Sequence, residues 1–444
     1  MAKTKAKEKD APSKEFSFEK FNDTLSKIDG FEHGSIMRKN TFSKVDHYIS
    51  TGSYLINAQI SGSLRGGLPN SRSVGYVGDP ETGKTYMCLN ACREAQKMGY
   101  YVFYCETEGA VDVDTMTKMG IDVDRIRYQP IKTVNEFKQF TVQVIHMAKD
   151  LREAGDPQKF MIVLDSLGML TTEKEINDAF EGKNAMDMGL KAKQMRQMFR
   201  IITLDLAANK IPLLVTNHTT IGGIGSYTGP TKESAGGDGP IFSLSTVLMM
   251  SKKFEKVGEG ADTKKTGIVI RTRPKKTRST IPQDATVYVS FASGMNPFVG
   301  LEAYVNWDAC GIEKGKIFTA KEYAKELEKA KPAELKKLQT GKPFQHIGME
   351  VDEETGEITL DKDGKEKQVV RDLVFVASDT GRWCVKHFGK SLAKGSLLFN
   401  KEVFTEDVIT QLDENVIKAM FKLPDWIDPE KLDFELDSDD EYKD

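Results

Sequence analysis

At 444 residues the chain exceeds what one compact hydrophobic core serves, so a large domain, a smaller one and terminal extensions are expected. With 39% hydrophobic and 29% charged residues it reads as a soluble globular enzyme, and no apolar run approaches the ~20 residues of a membrane span. The net charge of −3 neither requires nor excludes a nucleic-acid partner.

The chain begins with a polar stretch, 1–48, whose alternating lysines lack the apolar segment of a secretory signal. A cytoplasmic location is expected. Within it Phe16, Phe18, Phe21, Leu25 and Ile28 form an amphipathic helical pattern that needs a partner surface. From Ser73 short β-rich runs (Val74–Val77, Tyr101–Tyr104, Met161–Leu164, Leu213–Thr216, Thr246–Met250, Ile268–Ile270, Val287–Phe291) alternate with helical patterns near 86–98, 134–150 and 185–207. Continuously apolar strands alternating with helices predict an α/β fold with a mostly parallel sheet covered on both faces and ligands at the strands' carboxyl ends. In the third helix Met188, Met195, Met198, Phe199 and Ile202 follow helical spacing and read as core. Cys88, Cys92, Cys105, Cys310 and Cys384 contain no C-x₂-C pair, which suits a reducing cytosol, and Cys88 and Cys92 read as small buried residues.

Gly78-Asp79-Pro80-Glu81-Thr82-Gly83-Lys84-Thr85 matches G-x₄-G-K-[ST] in full, between a strand and a helix. The glycines let successive backbone N–H groups face the β-phosphate of ATP, Lys84 neutralises β- and γ-oxygens, and the Thr85 hydroxyl ligates Mg²⁺. The apolar strand before Asp165 delivers a Walker B carboxylate beside that metal. Hydrolysis also needs a group that orients water, and Glu106 and Glu108 compete for it at the end of the strand from Tyr101. A third strand ends in Thr216-Asn217-His218-Thr219, where polar side chains could contact the γ-phosphate; a structural histidine is the alternative.

Beyond about 300 the sequence turns lysine- and glutamate-rich, with helical stretches Thr319–Leu338 and Glu406–Phe421 flanking an expected hairpin, Glu350–Val370. From Asp425 to Asp444 ten acidic residues face two lysines, the pattern of a solvated tail able to compete for a basic groove. The expected division is 1–48, an N-terminal oligomerisation segment; 49–298, the ATPase core; 299–424, a small C-terminal α/β domain; and 425–444, an acidic disordered tail.

Ser50-Thr-Gly-Ser-Tyr-Leu, Gly66-Gly-Leu-Pro69, the phosphate loop, Leu164-Asp-Ser-Leu-Gly168 and Asn217-His-Thr219 together resemble the RecA-type recombinases, most of all the UvsX-type phage proteins. The likeness spans about 49–300. It implies a RecA-like core and an ATP-dependent protein that forms helical filaments on single-stranded DNA and exchanges strands with homologous duplex DNA. It further implies that a recombination mediator and a single-strand-binding protein are partners, and that a phage-encoded copy would work in the host cytoplasm. Carried over by position, Glu108 is the catalytic glutamate and His218 the γ-phosphate sensor. Lys276 and Arg278 are the basic pair that reaches the neighbour's ATP, and Asp112 is a contact for the adenine amino group. Thr115 stands where the family stacks a tyrosine on adenine. The family's DNA-binding loops fall at Thr172–Asp187 and Thr220–Gly239. The second holds seven glycines, and Gly222, Gly223, Gly225, Tyr227, Lys232, Gly236 and Gly237 are the candidate DNA contacts. Lys252-Lys253 and Lys264-Lys265 read as a solvated face. A RecA-fold hexameric helicase and a non-DNA P-loop ATPase switch are the competing functions.

Overall fold

The computed structural model describes residues 17–28, 44–183, 188–222, 231–234, 243–257, 264–305, 312–350, 359–362, 365, 367–378, 382–385, 390–392 and 404–423. The amphipathic N-terminal pattern forms helix α1 (Phe18–Leu25), capped by the Ser17 hydroxyl, which accepts from the Lys20 N–H. Phe18, Phe21 and Leu25 on it, and Ile28 just beyond it, are all exposed. Strand β1 (Tyr48–Ile49), helix α2 (Tyr54–Ser61) and strand β2 (Leu68–Pro69) follow, with β1 and β2 paired antiparallel. Gly67 lies at φ +125°, and a Cβ there would collide with the Ile49 carbonyl, so this pairing requires glycine.

The chain then builds a nine-stranded sheet. Its strands are β3 (Ser73–Gly78), β4 (Tyr100–Glu106), β5 (Ile126–Pro130), β6 (Lys159–Asp165), β7 (Leu213–Asn217), and, after the short hairpin β8 (Thr219–Gly222) and β9 (Thr231–Ser234), β10 (Thr246–Val257), β11 (Lys264–Lys276), β12 (Ala285–Ser290) and β13 (Gly294–Asn296). The spatial order is β13-β12-β11-β10-β3-β7-β6-β4-β5. From β10 to β5 every pairing is parallel, and β11, β12 and β13 extend the sheet antiparallel.

Three helices cover it: α3 (Lys84–Lys97), α5 (Val134–Glu153) and α7 (Met188–Ala208), with the shorter α4 (Val113–Lys118) and α6 (Glu173–Phe180) between them. Alternation along the strands divides the interior in two. Met161 and Val163 of β6, with Tyr100, Val102 and Tyr104 of β4, pack on the side of Met87, Cys88 and Cys92 of α3. Phe160, Ile162 and Leu164, with Phe103 and Cys105, pack on the side of Phe137 of α5 and Met195, Met198, Phe199 and Ile202 of α7. Both faces being covered explains why these strands are apolar throughout. Cys88, Cys92 and Cys105 are buried free thiols that burial pushes up.

Beyond the core lies a five-stranded sheet, ordered β15-β16-β14-β17-β18: β14 (Ile312–Thr319), β15 (Lys342–Met349), β16 (Gln368–Ala377), β17 (Arg382–Val385) and β18 (Lys390–Leu392). The hairpin expected at Glu350–Val370 has its paired strands further out, Met349 opposite Gln368 and Lys342 opposite Phe375. The helix expected over Thr319–Leu338 is two helices, Ala320–Lys329 and Pro332–Leu338; Pro332 cannot donate to a continuing helix and starts the second.

The last helical stretch, beginning at Glu406, returns to the first core. Phe404, Ile409, Leu412, Ile417 and Phe421 join the α3-side cluster, and Phe404 stacks on Phe298 with ring centroids 5.4 Å apart. Asp413, only 3% exposed, accepts from the Leu64 N–H at 2.6 Å and the Ser63 hydroxyl at 2.7 Å. A segment expected within a separate 299–424 unit thus fills a groove of the core, a long-range pairing no local pattern reports.

Candidate functional site

The parallel strands end side by side, and every motif of the nucleotide site follows one of those ends. β3 runs into the phosphate loop, with Gly83 at φ +87° as N-cap of α3 and no side chain capping that helix end. A Cβ on Gly83 would lie 2.7 Å from Ile270 Cδ1, so only glycine lets the loop turn here. The first-turn amides of this 14-residue helix, with no side-chain cap, are donors that suit an anion. The loop is also braced: the Thr82 hydroxyl donates to the Asp79 carbonyl at 2.8 Å, the Thr219 hydroxyl donates to the Asp79 carboxylate, and Glu81, at φ +59°, pairs with Lys252 at 2.6 Å. Lys252, expected on a solvated face, is therefore tied to the loop, and its amine also lies 4.9 Å from the Phe254 ring centroid, with that of Lys265 at 4.0 Å. Pro80 completes the loop.

Lys84 donates to the carbonyls of Gly78 at 2.9 Å and Asp79 at 2.8 Å. Burial pulls its pKa below the usual lysine range, against the opposing pull of Asp165, Glu108 and Asp79. Thr85 donates to Asp165 Oδ2 at 2.7 Å. The same oxygen takes the Tyr104 hydroxyl at 2.8 Å, and Oδ1 takes the Thr216 hydroxyl. Burial, followed by the Asp165 charge, holds the Tyr104 phenol well above the ordinary tyrosine range, so it stays a donor.

The two glutamates separate clearly. Glu106 is 3% exposed and turned back on its own loop, accepting from the Gly109 and Ala110 N–H groups and from the Tyr128 hydroxyl at 3.1 Å. It shapes the turn that carries Glu108. Glu108 faces the opening, where Oε1 accepts from the Ser166 hydroxyl at 2.7 Å and lies 2.8 Å from His218 Nε2. Burial pushes the Glu108 carboxyl up, but hydrogen bonds from His218 and Ser166, with the charges of His218 and Lys84, outweigh it and hold the pKa below the usual glutamate value. Thr107 ties the two strand ends together, its N–H donating to the Asp165 carbonyl at 2.9 Å and its Oγ1 accepting from the Ser166 N–H at 2.8 Å. The Asp165–Ser166 peptide is cis.

Asp112 caps α4, accepting from the Thr115 N–H at 2.7 Å, which holds its carboxyl below the usual range. Lys276 and Arg278 lie elsewhere. Lys276 pairs with Val247, which pairs with Gly75 of β3, so the basic pair sits toward the amino end of the sheet, away from its own phosphate loop. Arg278 there lines a cleft of about 570 Å³ with Arg72, Phe199 and Leu204. Burial, and then Arg278, lowers the Lys276 pKa.

Within the first expected DNA loop, Thr172–Asp187, Glu173–Phe180 form helix α6, and 184–187 lie outside the described residues. Thr172 and Glu175 form a capping box that starts α6, a signal present in the sequence and read as loop. In the second, β8 and β9 pair with Ile221 opposite Lys232, so the stem is a hairpin that includes Gly222 and Lys232. Gly223, Gly225, Tyr227, Gly236 and Gly237 lie outside the described residues. Tyr104 is the site residue that motif reading missed, whereas Ser166 and Thr216 stand in the quoted motifs without the partners they take here, Glu108 and Asp165. A tyrosine or threonine in an apolar strand carries no signal until the neighbouring strands are known.

Mg²⁺ and ATP can be tested against these groups. Two hard oxygen donors, Thr85 and Asp165, stand at the mouth of an uncapped helix N-terminus, and among the described residues no cluster of three or more His, Cys, Asp or Glu could hold a metal alone. Such a donor set suits a cation that takes its other ligands from phosphates and water, and the residues fit. No helix among the described residues is long and apolar enough to cross a membrane.

Comparison with known proteins gives the same picture. The model of the RecA N-terminal domain family matches residues 19–296. The recombination and repair protein of Enterobacteria phage T4 is 26% identical over 258 residues, 56% of this chain and 60% of that protein. The RecA protein of Fusobacterium nucleatum is 30% identical over 249 residues, 56% of this chain and 61% of that one, and that of Treponema denticola is 26% identical over 274 residues, 61% and 62%. The chain thus spans about 60% of the length of these relatives.

Proposed function

The chain belongs to the RecA N-terminal domain family, and from that premise we propose that it is a DNA-dependent ATPase that polymerises on single-stranded DNA and exchanges strands with homologous duplex DNA. The observation that carries the reading is the convergence of Lys84, Thr85, Asp165, Glu108 and His218 at the carboxyl ends of adjacent parallel strands. Bound Mg²⁺ and ATP would supply the phosphoanhydride and neutralise its developing charge.

Lys84 and the α3 amides, with Gly78, Asp79, Pro80, Glu81, Thr82 and Gly83, bind the phosphates; Thr85 and Asp165 hold the metal. Glu108, kept ionised by its hydrogen bonds, orients and deprotonates water. His218 contacts both Glu108 and, through the residue that follows it, the β8–β9 hairpin. That chain of contacts suits a sensor that couples nucleotide state to the glycine-rich segment, where Gly222, Lys232 and their neighbours would bind DNA. Such coupling is reciprocal, so DNA raises affinity for ATP as ATP raises affinity for DNA.

Lys276 and Arg278, remote from their own loop, act on the nucleotide of an adjoining protomer. The exposed apolar face of α1 supports a strap onto a neighbour, and a head-to-tail contact of this kind gives an open helical filament. A mediator and a single-strand-binding protein are the expected partners in the host cytoplasm. ATP hydrolysis measured with and without single-stranded DNA, on samples imaged by negative-stain microscopy, tests the reading. DNA-stimulated turnover with open filaments supports it; closed rings point to a helicase, and DNA-independent turnover without assembly rejects it.

A further inference from the structure

Tyr104 lies on β4 in the apolar layer between the sheet and α3, beside Cys88 and Cys92, and is fully buried. A phenol in such surroundings costs about 1–3 kcal/mol if its hydroxyl finds no partner. Tyr76, on β3 in the same layer, does bury a hydroxyl with no partner among the described residues. The Tyr104 hydroxyl instead donates to Asp165 Oδ2 at 2.8 Å, sharing that oxygen with Thr85 at 2.7 Å. From the other flank of β6, Thr216 of β7 donates to Oδ1. Asp165 therefore has both oxygens fixed from the strands on either side, one donor being a rigid ring with no freedom to follow it.

A carboxylate turns easily about its last side-chain bond, since that torsion has a broad profile. Thr85 alone would not stop it, because its single hydroxyl bond is compatible with many carboxylate tilts. We propose that Tyr104 is a positioning residue for magnesium: its hydroxyl, with Thr216, fixes the Asp165 carboxylate against the Thr85 hydroxyl, so that these two side chains stay together where the metal would bind. This rests on the reading of Thr85 and Asp165 as the Mg²⁺ site. Groups that orient a ligand without touching the metal commonly change metal affinity by about 10- to 100-fold when removed.

The test is equilibrium binding of a fluorescent non-hydrolysable ATP analogue to the full chain, titrated with Mg²⁺ and repeated in EDTA. Wild type is compared with Tyr104→Phe, Thr216→Val and Tyr76→Phe, and each protein is melted without nucleotide. Tyr104→Phe is expected to weaken the apparent Mg²⁺ affinity about tenfold while leaving metal-free nucleotide binding unchanged. Thr216→Val acts in the same direction through the other oxygen, and Tyr76→Phe does nothing to the Mg²⁺ dependence. Unchanged Mg²⁺ affinity in a folded Tyr104→Phe protein, or an equal loss with and without metal, overturns the inference alone. Wild-type binding that ignores Mg²⁺ overturns the reading of the metal site itself, and the positioning role with it.

Discussion

The imidazole of His218 and the carboxylate of Glu108, 110 positions apart in the chain, meet with Nε2 2.8 Å from Oε1. The pairing joins the end of β4 to the end of β7 across β6, and Ser166 at the end of β6 donates to the same Glu108 oxygen at 2.7 Å.

Glu108→Gln keeps the side-chain shape and its contacts but removes the base. ATP turnover is expected to fall by about 10²- to 10⁴-fold with nucleotide binding retained, whereas Glu106→Gln, altering only the turn, should cost far less. Steady-state hydrolysis and nucleotide titration on both variants check this, and equal losses would reverse the assignment.

The pH dependence follows from the depressed Glu108 carboxyl. Burial alone would raise its pKa, and the bonds from His218 and Ser166 more than offset that. The ionised base, and the stability linked to it, is fully present above the unfolded-state glutamate value and is lost as pH falls through the lower folded value. His218→Ala leaves the burial and removes the largest lowering contact, so the acid limb of the turnover profile moves to higher pH. An acid limb that stays in place in this variant would show that another group sets it.

Action in trans by Lys276 and Arg278 predicts complementation. Arg278→Ala and Glu108→Gln proteins are each expected to be nearly inactive, yet mixed in equal amounts they form junctions that combine an intact Glu108 with an intact Arg278. About a quarter of junctions would be complete if the two assemble at random, and DNA-stimulated hydrolysis should return in proportion. A mixture no more active than its parts would place the basic pair outside the neighbour's site.

Asp413→Ala removes the buried acceptor for the Leu64 N–H and the Ser63 hydroxyl. Stranding those donors should destabilise the core by about 2–3 kcal/mol, seen as a lower midpoint in denaturant unfolding. A variant as stable as wild type would mean that the helix starting at Glu406 is held by its apolar residues alone.

The amino-acid sequence determined the α/β class, the mostly parallel character of the sheet, the phosphate loop and the acids at strand ends, because period, glycine placement and motif spacing are local properties. It even contained the Thr172–Glu175 capping box, although that stretch reads as a loop when judged by position in the family. Tertiary structure decided the surroundings of Glu106 and Glu108, which the family likeness distinguishes only by position: Glu106 folds back on the Gly109 and Ala110 amides, while Glu108 meets His218 and Ser166. It also set Tyr104 and Thr216 against Asp165, moved Lys276 and Arg278 away from their own loop, and drew Asp413 into the core. Each of these depends on which strands become neighbours, a relation fixed by burying two apolar faces of one sheet at once and recorded in no short stretch of the chain.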